Sequence, residues 1–158
     1  MTGPRDAAAV PFPPPLLPLA TILLGGLFDR LWPIDLGFDL PAPIRYLLGG
    51  LVVTCALTLA SWAIAHFRRS EQDEKPWTPT TALVGAGPYR FTRNPMYLGM
   101  VLLCIGAAVL LSNWWILALT PVCAFALWWF AIRPEEAYLE NKFGEGYRAY
   151  KRRVRRWL

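Results

Sequence analysis

The sequence has few of the residues that build metal centres or disulfide scaffolds. Among its 158 residues are one histidine, His66, and three cysteines, Cys55, Cys104 and Cys123. The cysteines have no CxxC or Cys/His spacing, which argues against both metal binding and disulfides. We therefore predict that they pack inside apolar helices and that no metal is bound. His66 ends an apolar run next to two arginines, so an interfacial anchor is favoured over a catalytic base.

Charge is scarce as well. Charged residues make up 17% of the chain, against 55% hydrophobic residues and a mean hydropathy of +0.33. This composition excludes a disordered chain and is too apolar for an ordinary soluble domain. The formal net charge of +5 could point to nucleic acid, but the basic residues flank apolar runs instead of covering a polar surface. We therefore expect membrane lipids, and no nucleic acid, as the acidic partner.

Four long apolar runs divide the chain and predict an all-α integral membrane protein. The predicted transmembrane helices cover residues 14–33, 44–67, 95–112 and 114–132. The break at Ser112 and Asn113 predicts a tight hairpin of the third and fourth helices. A cleaved signal peptide is the alternative for the first run. Only Arg5 precedes that run and no small-x-small site follows it, which favours a membrane anchor and a single membrane domain over residues 1–158.

The basic residues are distributed unevenly between the two sides that four spans would create. Fourteen of the 16 lie on the side of the termini, and only Arg30 and Arg45 lie on the other. Basic residues concentrate in cytoplasmic segments, so both termini are predicted to be cytoplasmic in a multi-pass protein of the cell (inner) membrane. Residues 133–158 are expected to form a cytoplasmic amphipathic helix. Its basic run over 151–156 is predicted to bind anionic lipid.

A segment rich in glycine, proline and arginine precedes the third apolar run. Asn94 and Pro95 form a helix-start pattern, with asparagine as the N-cap and proline at the first helical position. Arg90 and Arg93 lie within one turn of that start, whose free amide groups and dipole favour a carboxylate or a phosphate. The segment therefore suggests an anion site at the membrane surface. An ordinary loop whose arginines bind lipid headgroups is an equally weighted alternative.

Two adjacent carboxylates, Glu135 and Glu136, directly follow Arg133 and Pro134. Such carboxylates repel each other at a membrane interface, so a cationic partner is expected. Arg90 or Arg93 would be a structural partner, whereas a ligand with an ammonium or sulfonium group would be a functional one. The residues alone leave both interpretations open.

The motif GPYRFTRNPMYLG at 87–99 is followed by the two glutamates and by FGxxYxxY at 143–150. This combination closely resembles the isoprenylcysteine carboxyl methyltransferase family and the related membrane phospholipid methyltransferases. The resemblance implies an integral membrane enzyme that binds S-adenosylmethionine on the cytoplasmic side, through segments 81–97 and 133–150. It also implies a lipophilic acceptor: an isoprenylcysteine-type carboxylate, a phospholipid amine or a thiol.

The residues that match the families' cofactor contacts, with one arginine from the anion-site interpretation, form the candidate cofactor-binding set. They are Thr81, Ala82, Leu83, Val84, Gly85, Gly87, Tyr89, Arg93, Asn94, Pro95, Met96, Tyr97 and Glu135. The chain departs from the prenylcysteine pattern at Thr81 and Asn94, where that pattern usually has histidine. S-adenosylmethionine has a carboxylate for a helix N-terminus or an arginine and an ammonium for a glutamate. Its adenine suits walls such as Tyr89, Tyr97 and Leu83.

The chemistry that the resemblance implies is an in-line methyl transfer. The main task of such a site is to align the acceptor with the sulfonium methyl group in a dry pocket, without a metal. Glu136 is the candidate catalytic base for an ammonium acceptor, and Arg133 is the candidate residue for orienting an anionic acceptor. Two alternatives stay open at this point. One is a sterol-reductase-like membrane oxidoreductase with a nicotinamide cofactor, and the other is a non-catalytic membrane scaffold that retains the fold.

Overall fold

The structure, a computed structural model, describes residues 8–34, 40–69 and 85–158. Every regular element in these residues is helical, which confirms the all-α class for this part of the chain. The helices are α1 (Leu16–Leu31), α2 (Ala42–Arg69), α3 (Pro95–Leu111), α4 (Trp114–Leu127), α5 (Arg133–Phe143) and α6 (Glu145–Arg153). A 3₁₀ turn at Gly87–Arg90 precedes α3, and a π-helical segment at Trp128–Ile132 joins α4 to α5.

Two helices are long and apolar enough to cross a membrane. One is α2, with 28 residues, and the other is the continuous helix Trp114–Phe143, with 30 residues. The apolar helix α3 is shorter, with 17 residues, and α1 has 16. A straight helix needs about 20 residues to span the hydrocarbon core. Four complete spans therefore remain a proposal.

Small residues let α2 and α3 pack closely against each other. A Cβ atom at Gly99 of α3 would lie 3.0 Å from the carbonyl oxygen of Ala56 in α2. A Cβ atom at Gly106 would lie 2.7 Å from Cγ2 of Val53. Larger side chains at these glycines would separate the two backbones. The antiparallel packing brings the end of α2 beside the start of α3, where the candidate site lies.

Ser112 and Asn113 connect α3 to α4 in two residues. Ser112 has a left-handed backbone, with φ 48°. Asn113 is the N-cap of α4, because its Oδ1 accepts a 2.8 Å hydrogen bond from the backbone N–H of Ile116. Its Nδ2 donates to the carbonyl oxygen of Gly25 at 3.3 Å. One buried side chain therefore ties the α3–α4 connection to α1.

The C-terminal region differs from the sequence expectation in its boundaries. The helix of the fourth apolar run does not end at residue 132, because the π-helical segment carries it directly into α5. The single amphipathic helix expected over 133–158 is instead two helices, separated at Gly144. This glycine ends α5 with φ 52°, a left-handed conformation that glycine adopts without steric cost. After α6 the backbone becomes extended at Val154.

The cysteines fit the packing prediction only in part. All three are free; Cys104 and Cys123 are buried, and they share a core cluster with Tyr97 and Leu127. Cys55, by contrast, lies exposed on α2. The prediction that it packs inside this chain is therefore wrong, because its side of α2 faces away from α3.

Candidate functional site

Four segments meet at one end of the helices. They are the 3₁₀ turn, the start of α3, the start of α5, and the last five residues, 154–158, which we call the C-terminal tail. Hydrogen bonds and ion pairs between distant parts of the chain connect them, including Tyr97 to Glu135 and Arg156 to Glu136. The structure therefore brings together the two segments in which the sequence predicts the cofactor site.

Gly87 begins the 3₁₀ turn in a conformation that favours glycine. Its φ is 58°, and a Cβ atom there would lie 3.0 Å from Cγ and Nδ1 of His66. The turn thus approaches the end of α2 too closely for any side chain at this position. His66 accordingly lies at the edge of the site, beside the turn that holds Tyr89. The Phe67 ring packs against the Tyr89 ring with centroids 5.9 Å apart and the ring planes tilted by 43°.

Tyr89 is buried, and its hydroxyl has no hydrogen-bond partner among the residues that the structure describes. Burial, together with the nearby Glu135 carboxylate, raises the pKa of Tyr89 above its usual range, so the hydroxyl stays a protonated donor. The Tyr89 carbonyl oxygen accepts a 2.8 Å hydrogen bond from Tyr150. Burial raises the pKa of Tyr150 to about 12. Buried donors without partners are rare in native proteins, so Tyr89 is a position where a ligand can supply the missing acceptor.

Glu135 faces a neutral partner. Its Oε1 accepts a 2.6 Å hydrogen bond from the hydroxyl of Tyr97, which is buried in the first turn of α3. Glu135 has no ion pair with any basic residue in the described ranges. Burial raises the pKa of Glu135 to about 7, although the hydrogen bond from Tyr97 acts in the opposite direction. A cation bound beside Glu135 would therefore stabilise its charged form.

Glu136, the adjacent carboxylate, is fully engaged by arginines. Arg93 Nη2 lies 3.1 Å from Glu136 Oε1, and both side chains are only 9% exposed. Arg156 Nε and Nη2 bind the same carboxylate at 3.2 and 2.8 Å, and this hydrogen bonding raises the pKa of Arg156. The structure thus assigns the two glutamates different roles: Glu136 takes the structural cations, and Glu135 is left without one. Arg93 retains one buried donor, its Nε, without a partner in the described chain.

The C-terminal tail binds the loop before α3 through its backbone carbonyls. Arg155 O accepts from the Arg93 backbone N–H at 2.9 Å. Arg156 O accepts from Thr92 Oγ1 at 3.0 Å and from Asn94 Nδ2 at 3.1 Å. Asn94 does occupy the N-cap position, with Pro95 first in α3, but its side chain does not cap the helix. The expected capping contact is therefore wrong, because the side-chain amide of Asn94 is directed to the C-terminal tail, where it donates to Arg156 O.

The remaining predicted residues are placed as follows. Gly85 is exposed, Pro95 is buried, and Met96 is half-buried at the start of α3. Arg133 is exposed, and its guanidinium lies 4.7 Å from the ring centroid of Trp129. Thr81, Ala82, Leu83 and Val84 lie outside the described residues. Within 8–34, 40–69 and 85–158, no cluster of three or more histidine, cysteine or acidic side chains could hold a metal ion.

The sequence interpretation missed three residues of the site. Thr92 was not singled out, and Arg156 was assigned only to a lipid-binding basic run. Trp157, which packs against the buried core, was also missed. The one sequence signal for a tail that packs against the protein was the presence of Val154 and Trp157 among its arginines. A tail that only binds lipid headgroups does not need buried apolar residues.

Comparisons with known proteins agree with the positions of these segments. The family model described as phospholipid methyltransferase matches residues 44–146. A protein-S-isoprenylcysteine O-methyltransferase of Schizosaccharomyces pombe is 30% identical over 110 residues, which cover 68% of this chain and 43% of that protein. The Xenopus laevis protein of the same name is 35% identical over 118 residues, covering 70% of this chain and 37% of that protein.

A third relative is shorter. An uncharacterized protein of Haemophilus influenzae is 46% identical over 65 residues, which cover 40% of this chain and all of that protein. The chain spans about two-fifths of the length of the two methyltransferases named above. No solved structure matches the chain.

Proposed function

Because the chain belongs to the phospholipid methyltransferase family, we propose that it is a membrane methyltransferase that uses S-adenosylmethionine and acts on a lipophilic acceptor. The observation that carries this proposal is the Glu135 carboxyl group, which has no cationic partner among the described residues, near the partnerless hydroxyl of Tyr89. A cofactor that carries a positive charge for Glu135 and a hydrogen-bond acceptor for Tyr89 fits these two groups. Family membership also favours methyl transfer over the nicotinamide-dependent alternative.

The residues of the site fit the proposed cofactor group by group. Glu135 would hold the ammonium group, and the Nε donor of Arg93 would be available to the carboxylate. The buried rings of Tyr89 and Tyr97 would form aromatic walls for the adenine. When bound, S-adenosylmethionine supplies an activated methyl group on its sulfonium. Gly85 and Gly87, and the segment 81–84, would complete the cofactor side of the site by family resemblance.

The protein's own contribution to methyl transfer is alignment and exclusion of water. The hydroxyl of Tyr97 fixes the Glu135 carboxylate, and the ion pairs of Glu136 fix the start of α5 relative to the loop before α3. A site held this way keeps its groups in place for an in-line displacement, which depends on the reacting atoms approaching to about 3–3.5 Å.

The ion pairs of Glu136 favour an acceptor that needs no deprotonation. An ammonium acceptor must lose a proton before it attacks, and Glu136 is the candidate base for that step. Two arginines occupy both of its oxygens, which leaves neither oxygen free to face an ammonium acceptor. A carboxylate acceptor can attack without losing a proton. Arg133 could orient such an acceptor, because it is exposed and has no carboxylate partner in the described chain. We therefore propose O-methylation of a lipophilic carboxylate, with a phospholipid amine or thiol as the alternatives.

The membrane arrangement is part of the same proposal. We propose four spans, with α1 and α3 completing the two longer helices, and a tight hairpin of α3 and α4. The distribution of basic residues supports cytoplasmic termini, a cytoplasmic cofactor site and a location in the cell membrane. The acceptor would then reach the site laterally from the bilayer.

A radiolabelled methyl-transfer assay on membranes that contain the protein tests the proposal. We expect label from S-adenosylmethionine in a lipid-extractable product, and we expect alkali to release it, because methyl esters hydrolyse in base whereas N-methyl and S-methyl groups persist. Glu135→Gln should weaken cofactor binding and lower incorporation at least tenfold, since a charged hydrogen-bonding partner is lost.

The matched control is Glu140→Gln, which changes a half-buried glutamate further along α5, outside the candidate site, and should leave incorporation unchanged. A base-stable label would overturn the carboxylate acceptor but retain the methyltransferase. If purified protein bound no S-adenosylhomocysteine and its membranes incorporated no label above control membranes, the scaffold alternative would replace the proposal.

A further inference from the structure

A cavity lies on the charged side of α6, next to Gly85 of the candidate cofactor set. It is an open groove of about 480 Å³ between this helix and the 3₁₀ turn. Its lining consists of Gly85, Arg90, Gly146, Tyr150, Arg153 and Val154. Ligand sites in proteins commonly have volumes of a few hundred Å³, so the groove is large enough for a lipid headgroup.

Two arginines face this groove without compensation. Neither Arg90 nor Arg153 has an ion-pair or hydrogen-bond partner within the described ranges, and both are exposed. Most neighbouring basic residues of α6 and the tail do have glutamate partners: Arg148, Lys151, Arg152 and Arg156. The positive charge that α6 leaves unpaired beside the 3₁₀ turn is therefore concentrated at the groove.

The floor of the groove adds no charge of its own. The Tyr150 hydroxyl is used by its hydrogen bond to the carbonyl oxygen of Tyr89, and burial raises the pKa of Tyr150 to about 12, so the ring stays neutral. Val154 is apolar. The groove thus has uncharged lining residues between two arginines, one on each of its two lining segments. This arrangement suits an anion with several hydrogen-bond acceptor oxygens, such as a phosphate.

The residue that follows Arg90 in the chain points to a lipid as the source of that phosphate. Phe91, adjacent to Arg90, is 63% exposed. An exposed aromatic ring next to an arginine at the end of apolar helices is the pattern of a membrane interface, where the ring enters the headgroup layer. A soluble phosphate ligand would have no use for that ring.

We propose that the groove between Arg90 and Arg153 binds the phosphate of an anionic phospholipid headgroup and so holds α6 at the membrane surface. An anionic lipid is favoured over a zwitterionic one, because the ammonium of a zwitterionic headgroup would approach two uncompensated guanidinium groups. Gly85 is shared with the candidate cofactor set. Neither arginine side chain has a hydrogen bond or ion pair with Glu135, Tyr97 or Tyr89 in the described chain, so substitutions of these two arginines can distinguish the lipid site from the cofactor site.

Direct binding to purified full-length protein in a nonionic detergent tests this proposal. The probes are short-chain phosphatidylglycerol, phosphatidylcholine of the same chain length, and inorganic phosphate, with binding measured by calorimetry. We expect phosphatidylglycerol to bind at least tenfold more tightly than phosphatidylcholine. Arg90→Gln and Arg153→Gln should each weaken phosphatidylglycerol binding about fivefold, the effect expected of one basic residue near an anionic headgroup.

Arg155→Gln is the matched control, because it removes the same charge from an exposed arginine that does not line the groove. It should leave lipid binding within about twofold of the unaltered protein. Equal affinity for the two lipids, or an equal loss in the Arg155→Gln variant, would overturn the proposal. Inorganic phosphate that binds as tightly as the lipid would assign the groove to a soluble ligand instead.

Binding of S-adenosylhomocysteine to the same variants separates this site from the cofactor site. We expect Arg90→Gln and Arg153→Gln to bind it normally, which also shows that they are folded. Loss of S-adenosylhomocysteine binding with unchanged lipid selectivity would assign the groove to the cofactor and contradict the lipid site. Failure of the unaltered protein to bind S-adenosylhomocysteine would count against the proposed function while leaving the lipid result to stand on its own.

Discussion

Tyr97, in the first turn of α3, donates a 2.6 Å hydrogen bond to Glu135, 38 residues further along the chain at the start of α5. The adjacent Glu136 binds Arg93 and Arg156 instead. Two neighbouring carboxylates thus have different electrostatic environments, one with a neutral donor and one with two cations. Different environments commonly give two carboxyl groups of one site different roles. Here Glu135 is available to a ligand, whereas Glu136 holds the site together.

Replacing Tyr97 with phenylalanine should weaken cofactor binding. The change removes the hydroxyl that fixes Glu135 and leaves the buried ring in place. A hydrogen bond to a charged group contributes about 1.5–3 kcal/mol, so we expect the dissociation constant for S-adenosylhomocysteine to rise about tenfold or more. Tyr46→Phe removes a hydroxyl from an exposed tyrosine near the other end of α2 and should have no effect. Equal binding by the Tyr97→Phe variant would show that the hydrogen bond does not position the carboxylate.

Replacing Glu136 with glutamine should act mainly on stability. The change leaves Arg93, which is 9% exposed, without its counter-charge. Removing one partner of a buried ion pair typically costs 3–5 kcal/mol, so we expect the free energy of unfolding in detergent to fall by about 3 kcal/mol. Glu140→Gln affects ion pairs with Arg148 and Lys151 that are much more accessible to solvent and should lower it only slightly. A stable Glu136→Gln variant that has lost methyl transfer would instead support a catalytic base.

Local signals predicted the start of α3 and the end of α2. Proline at the first helical position and the basic residues that end an apolar run act within a few residues, and their effects can be read from residue type. The predicted run at 44–67 accordingly lies inside α2, and α3 begins at Pro95 as expected. The proximity of Glu135 to the loop before α3 also followed from the motif pattern.

The return of the C-terminal tail could not be predicted in the same way. Arg155 and Arg156 use their backbone carbonyls to accept hydrogen bonds from the loop before α3. Every residue has a backbone carbonyl, so the sequence does not show which carbonyls will accept such hydrogen bonds. The arginine side chains suggested a lipid surface, although Arg156 faces Glu136 and Trp157 packs against the core.

Thr92 links the tail to the start of α3 and offers a test of that connection. Its buried hydroxyl donates to Arg156 O at 3.0 Å and accepts from the Asn94 backbone N–H at 3.2 Å. Thr92→Val keeps the shape but leaves the buried backbone N–H of Asn94 without its acceptor, whereas Arg156 O keeps the hydrogen bond from Asn94 Nδ2. We therefore expect a loss of about 1–3 kcal/mol in stability. Thr92→Ser retains the hydroxyl and should lose less. Chemical denaturation in detergent gives both values, and equal stabilities for the two variants would contradict the connection.

Alkaline pH should destabilise the protein through its buried tyrosines. Burial raises the pKa of Tyr150 from 10.0 to about 12. Below about pH 10 the folded and unfolded chains both hold the proton, whereas between about pH 10 and 12 only the unfolded chain releases it, so the free energy of unfolding falls as the pH rises. Burial also raises the pKa values of Tyr89 and Tyr147. Tyr150→Phe should therefore reduce this slope without abolishing it, and an unchanged slope would argue against burial as the cause.

Gly87 should tolerate no side chain, because two separate constraints act on it. Its φ of 58° is strained for any other residue, at a cost of about 1–2 kcal/mol, and a Cβ atom would lie 3.0 Å from the His66 ring. We expect Gly87→Ala to destabilise the protein and to weaken S-adenosylhomocysteine binding, since Tyr89 lies in the same turn. Gly146→Ala is the matched control, because a Cβ atom there meets nothing within 4 Å. Adding His66→Ala to Gly87→Ala removes the steric contact but not the backbone strain, so it should restore only part of the stability. Full restoration would show that the contact with His66, and not the backbone conformation, determines the need for glycine.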